Sequence, residues 1–131
     1  NSKYVVKEHF SVPFTDHAFM EPECAIAMPD PEDKEGLLMF TGSQNIYDEQ
    51  KEISIMLGLE PEKIKIKGML VGGGFGGKED MSVQHHAALA AYLTKKPVKV
   101  RFSRQDSINV HTKRHAMEMD FTVGCDENGI I

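Results

Sequence analysis

The chain has 131 residues, 40% of them hydrophobic and 27% charged, with a net charge of −5 at pH 7. That length can bury one core, and the composition is globular rather than disordered. No basic stripe supports nucleic-acid binding, and no apolar run approaches the roughly 18 residues of a membrane span, so a soluble, cytoplasmic protein is expected.

Tyr4 to Phe14 predicts a strand, ended by Pro13 and the polar Thr15-Asp16-His17. Cys24 to Met28 is a short apolar strand. Cys24 and Cys125 lie far apart and form no CxxC, so both are expected as buried free thiols in a reducing setting. Pro29 to Gly36 is a charged, proline-broken loop. Leu37 to Phe40 is a continuous apolar run, hence a strand covered on both faces. Asn45 to Leu57 predicts a helix with Ile46, Gln50, Ile53 and Leu57 on one face, Gly58 as its C-cap and Pro61 beyond.

Ile64 to Val71 returns to strand, with Lys63, Lys65 and Lys67 as a solvated face. Glu79 to Leu93 predicts a second helix, with Met81, Ala88, Leu89, Tyr92 and Leu93 as its buried stripe and Lys95-Lys96 at its C-terminus. Val98 to Phe102 and Met117 to Val123 alternate apolar and polar residues, the period of half-buried strands. The eight methionines are expected to fill the core. The chain therefore predicts an α+β fold, two helices packed on a mixed β-sheet in the order β-β-β-α-β-α-β-β, forming a single domain over 1–131. It opens on Asn1, and Asp126 to Gly129 is a turn signal just before the last residues. The expectation is a piece of a longer polypeptide.

Residues 71–80 are the most informative: Val-Gly-Gly-Gly-Phe-Gly-Gly-Lys-Glu-Asp. Glycines can take positive φ and bring backbone N–H groups against a ligand. Between a strand and a helix N-terminus such a loop is a natural anion site. Gly72, Gly74 and Gly77 match G-x-G-x-x-G, but the acidic residue wanted about 20 positions on falls in the basic Lys99–Arg101 region. Gly72 to Lys78 matches most of a phosphate-binding P-loop, but Glu79 stands where Ser or Thr should reach magnesium. A phosphate- or nucleotide-binding module with Lys78 as the contact is the alternative reading. A plain tight turn is the structural one.

Gly72-Gly73-Gly74-Phe75-Gly76-Gly77-Lys78-Glu79 resembles the molybdenum-site loop of the xanthine dehydrogenase and aldehyde oxidase family. Thr41-Gly42-Ser43-Gln44-Asn45, His17-Ala18-Phe19-Met20-Glu21-Pro22 and Arg114-His115 resemble three further family segments, in the right order and spacing. The resemblance implies a molybdenum-dependent hydroxylase, with iron–sulfur and FAD groups elsewhere in the parent enzyme. The implied cofactor is of molybdopterin type, its cytosine dinucleotide form among the candidates. It implies that Gln44 hydrogen-bonds an oxygen ligand of the metal, that Gly74, Phe75 and Gly76 line the cofactor, and that Glu79 faces the substrate. Glu79 points to a purine rather than an aldehyde, and residues 80–86 resemble selenium-dependent members. Gln44 and Glu79 are thus the catalytic candidates. No residue is assigned as a metal ligand. The family's general-base Glu and its substrate-orienting Arg lie in later segments, so these 131 residues alone are expected to be inactive.

The histidines give no zinc motif. His85 and His86 point about 100° apart on a helix, and His111 and His115 are not expected to be helical. His17 and Glu21 match the family by position, with no physical role legible for either.

Overall fold

The computed structural model describes residues 2–131. In chain order the elements are β1 (Tyr4–Val12), β2 (Cys24–Pro29), β3 (Leu37–Thr41), α1 (Ile46–Leu57), β4 (Ile64–Gly68), α2 (Gln84–Thr94), β5 (Val98–Arg101), α3 (Arg104–Val110) and β6 (Met117–Cys125), with a 3-10 turn at Pro61–Lys63. The α+β class stands. The expected order lacked α3, and the strands form two sheets instead of one.

The contacts gather into two compact units. Residues 1–16 and 113–131 form the first, residues 17–112 the second. The division arises because β1 pairs antiparallel with β6 alone, from Tyr4↔Cys125 to Val12↔Met117. Phe10 and Phe121 meet edge to face across this ribbon, ring centroids 5.8 Å apart.

The second unit holds the sheet β4-β3-β2-β5. β3 runs parallel to β4 because α1 crosses between them; β2 is antiparallel to both its neighbours. Alternate residues Ala25, Ala27, Leu37, Met39 and Ile64 face the helices and are buried with Ile53 of α1 and Ala87, Ala88 and Ala91 of α2. α2 thus rests on β2 by alanine against alanine. The larger apolar residues expected in its stripe lie elsewhere: Leu89 and Leu93 are exposed, Tyr92 is half-buried, and Met81 precedes the helix. Met39 fills core space as expected, whereas Met20, Met69 and Met117 are exposed. Cys24 and Cys125 are free and half-buried rather than buried. α1 follows its expected face, capped by Asn45, whose side chain accepts from the Asp48 N–H, and closed by Gly58 in the left-handed conformation.

Two expectations around the glycine run change. Met69 to Val71 is not strand, since β4 ends at Gly68, and Leu70 is exposed. α2 begins at Gln84 rather than Glu79, so six residues separate Gly77 from the helix. No helix is long and apolar enough to cross a membrane among the described residues.

Candidate functional site

Strand β3 delivers Thr41 to the core edge. The chain then turns through Gly42 and Ser43, and Asn45 starts α1. Gln44 sits at this corner with its side chain outward. Its Oε1 accepts two backbone N–H groups from the glycine loop, Gly76 and Lys78, each at 3.2 Å. Its own N–H donates to the Lys78 carbonyl at 2.9 Å, and the Ser43 hydroxyl donates to the same oxygen at 3.3 Å. Two N–H donors on one end identify that end as the carbonyl, so the other end is the NH2. That NH2 has no hydrogen-bond partner among the described residues.

The loop is shaped around this contact. A Cβ on Gly74 would fall 2.2 Å from Gln44 Oε1, so only glycine leaves room for the carboxamide. Gly73 and Gly76 take positive φ, at 93° and 83°, as the tight path requires. Phe75 shares that left-handed conformation at φ 54°, uncommon for a residue with a Cβ. Its ring is 64% exposed. Gly76 N–H, expected to face a ligand, is committed to Gln44.

The floor under the loop is residues 17–23. Phe19, fully buried, lies under Gly73, and a Cβ at Gly77 would meet the His17 ring at 2.8 Å and His111 Nε2 at 2.9 Å. His111 is itself buried against Glu23, Nδ1 to Oε1 at 2.9 Å. Glu21 Oε2 accepts from the Gly72 N–H and from Lys78 Nζ, both at 2.8 Å. The Lys78 ammonium holds the Glu21 carboxyl below its usual range, and the Gly72 N–H adds to this while partial burial opposes it. Lys78 is buried, with its ammonium 4.7 Å from the Phe19 ring centre. These roles were invisible in sequence, because Glu21 and Lys78 are 57 positions apart.

Behind Gln44 lies a buried polar network. Glu49 of α1 accepts from Gln84 Nε2 at 2.5 Å, and Gln84 Oε1 accepts the Ser82 and Val83 N–H groups at 2.9 and 3.0 Å. Gln84 therefore satisfies the N-terminus of its own helix, whose capping residue Val83 cannot. Burial pushes the Glu49 carboxyl up, while the Ser43, Gln84 and Thr41 side chains pull the other way.

In front of this network is a cleft of about 670 Å³, lined by Asn45, Asp48, Glu52, Glu79, Asp80 and His85 among others. Glu79 is exposed and makes no ion pair among the described residues. It lies five residues before α2, too far for that helix's dipole to act on it. Burial pushes the His85 imidazole down, with His86 adding to the effect. Among the described residues no three His, Cys, Asp or Glu side chains are grouped to hold a metal ion.

The arrangement does not suit a phosphate. The Lys78 ammonium is paired and buried, two loop N–H groups are committed to Gln44, and the helix that follows begins only at Gln84.

The family model for the molybdopterin cofactor-binding domain matches residues 1–131. The chain is 40% identical over 126 residues to the nicotinate dehydrogenase large molybdopterin subunit of Eubacterium barkeri, covering 95% of this chain and 29% of that protein. It is 34% identical over 128 residues to a probable xanthine dehydrogenase subunit of Bacillus subtilis (strain 168), covering 98% of this chain and 17% of that protein. In fold it resembles the aldehyde oxidoreductase from Desulfovibrio gigas, with TM-score 0.84 at 24% identity over 97% of this chain and 14% of that one. It thus spans under a third of the length of each of these proteins.

Proposed function

The chain belongs to the molybdopterin cofactor-binding domain family, and on that premise we propose that it supplies one wall of the molybdenum site in a xanthine dehydrogenase-type hydroxylase. The parent enzyme would oxidise purines or related N-heterocycles in the cytoplasm, with water as the oxygen source. Iron–sulfur and FAD groups in other domains or subunits would carry the electrons away.

One observation carries this reading: the Gln44 carboxamide is held by its oxygen on the glycine loop, which leaves its NH2 as an oriented, neutral donor. The cradle fits a cofactor with oxygen ligands, because Gly74 leaves room for the carboxamide and a bound oxygen needs a donor that adds no charge. When bound, the molybdenum cofactor supplies the two-electron redox chemistry.

The chain's own residues do the rest of the local work. Gln44 directs its NH2 at the cofactor without reorganising, since its acceptor end is already engaged. The Gly74–Gly76 backbone and the outward Phe75 ring cover the cofactor's flank. Glu79 accepts a hydrogen bond from a substrate N–H in the cleft, which favours a purine over an aldehyde lacking such a donor.

In the full-length protein, Gln44→Ala should lower kcat on xanthine or hypoxanthine by about 100-fold or more, as loss of one oriented donor does. Glu79→Ala should erode the purine preference and spare aldehydes. Wild-type turnover by Gln44→Ala at full molybdenum content would sink the proposal. Metal and selenium analysis of the same preparation tests the selenium relationship.

A further inference from the structure

The glycine loop has a second set of attachments with no assigned role. Glu21 grips both of its ends: the Gly72 N–H at the start and the Lys78 ammonium at the finish, each at 2.8 Å from one carboxylate oxygen. The Glu21 N–H also donates to the Gly72 carbonyl at 3.2 Å. Lys78 is in turn the backbone partner of Gln44, through the carboxamide oxygen and through the main chain. A direct path of contacts therefore runs from the Glu21 carboxylate through Lys78 to the carboxamide.

We propose that Glu21 and Lys78 are a positioning pair that clips the two ends of the loop together and so sets the orientation of the Gln44 NH2. The function of the pair rests on the reading of Gln44 given above. Its geometry does not. The loop itself is poorly able to hold a shape, since glycines leave the backbone the widest freedom. Its two N–H contacts to Gln44 are long, at 3.2 Å each. A charged clip across Gly72 and Lys78 removes that freedom without placing a side chain where the cofactor would lie. The ammonium is well placed for this, being buried with its face on the Phe19 ring and its charge met by one carboxylate.

The test uses the full-length protein. Lys78→Met is the first variant, because it leaves Glu21, which is half-exposed, able to turn to solvent. In cofactor-free protein, hydrogen exchange should show lost amide protection at Gly72, Gly76 and Lys78 while α1 and α2 keep theirs. In loaded enzyme kcat should fall about tenfold or more with KM little changed, as a misplaced catalytic group does. In a Gln44→Ala background the same change should cause no further loss, since the pair acts through that side chain. Glu21→Gln/Lys78→Met should lose no more than the worse single variant.

Wild-type amide protection in folded Lys78→Met overturns the proposal, as do full additive losses in either double variant. A Gln44→Ala enzyme with unchanged turnover strikes instead at the wall reading, and the exchange measurement on cofactor-free protein then decides the pair alone.

Discussion

Two loops of the second unit are fastened by lysine–carboxylate pairs, and they use them in opposite ways. In the charged loop over 29–36, Lys65 meets Asp30 and Glu32 at 2.9 and 2.7 Å, and Lys63 meets Asp33 and Glu35 at 2.7 and 3.4 Å. Both lysines are raised by these carboxylates, and Asp30 and Asp33 are lowered by the lysines. Apart from buried Asp30 the network sits at the surface, where water and salt weaken each pair, and several partners share each lysine's charge. In the glycine loop the lysine is buried and meets one half-exposed carboxylate, so losing Glu21 strands the Lys78 charge. The first loop has several ion pairs, the second one ion pair, which the proposed aim of Gln44 depends on.

Each loop also contains a glycine that excludes a Cβ, and this gives the sharpest way to separate them. At Gly74 the obstacle is the Gln44 carboxamide at 2.2 Å, a movable side chain. At Gly36 it is the Lys63 carbonyl at 2.7 Å, which is backbone and cannot step aside. Gly74→Ala should therefore have the largest effect on chemistry, a drop in kcat of about 100-fold, with a modest fall in melting temperature. Gly36→Ala should show the reverse. It should destabilise the parent protein by about 1–3 kcal/mol through overpacking, seen as a lower melting temperature, with near-normal kcat in the folded fraction. Equal losses of activity in the two would break the distinction.

A smaller effect is expected at Glu49, which lies behind the glycine loop and has no counterpart in the charged one. Its folded-state affinity for a proton is raised by burial. The stability it contributes is therefore full below the ordinary glutamate value of 4.5 and is lost as pH rises through the raised value. Glu49→Gln removes this loss, so its melting temperature relative to wild type should climb with pH above about 4.5 and level off once Glu49 would be ionised. A climb that never levels off would show that folded Glu49 keeps its proton throughout, and a pH-independent difference would show that burial does not raise it. The smallest effect belongs to Lys65→Met in the charged loop. It should move the melting temperature by no more than about 2 °C, less still in 1 M salt, and leave turnover untouched.

Much of this was legible in the sequence, for identifiable reasons. The bare glycine run and Gln44 some thirty residues earlier could be read as partners, and α1 was plain because Ile53 and Leu57 share a face bounded by Asn45 and Gly58. The helix α3 was missed because Ile108 and Val110 are exposed and give it no apolar stripe. Its only signal was the capping box, Ser103 and Asp106 each bonding the other's N–H. The start of α2 was misplaced because Glu79 to Ser82 looked helical, whereas the chain waits for Gln84, which bonds inward to Glu49. Lys78 looked like a free cation because its partner is distant in sequence.

The alanine contact between α2 and β2 has a mechanical consequence. Where α2 meets β2 the facing side chains are alanines, so the two backbones lie close with little slack. Gln84 opens that helix and ties it to Glu49, so any thickening along the seam is levered toward the stretch that bears Glu79. On the proposed reading of Glu79, a single added methylene far from the cleft would thus retune the grip on substrate without touching any group that meets it.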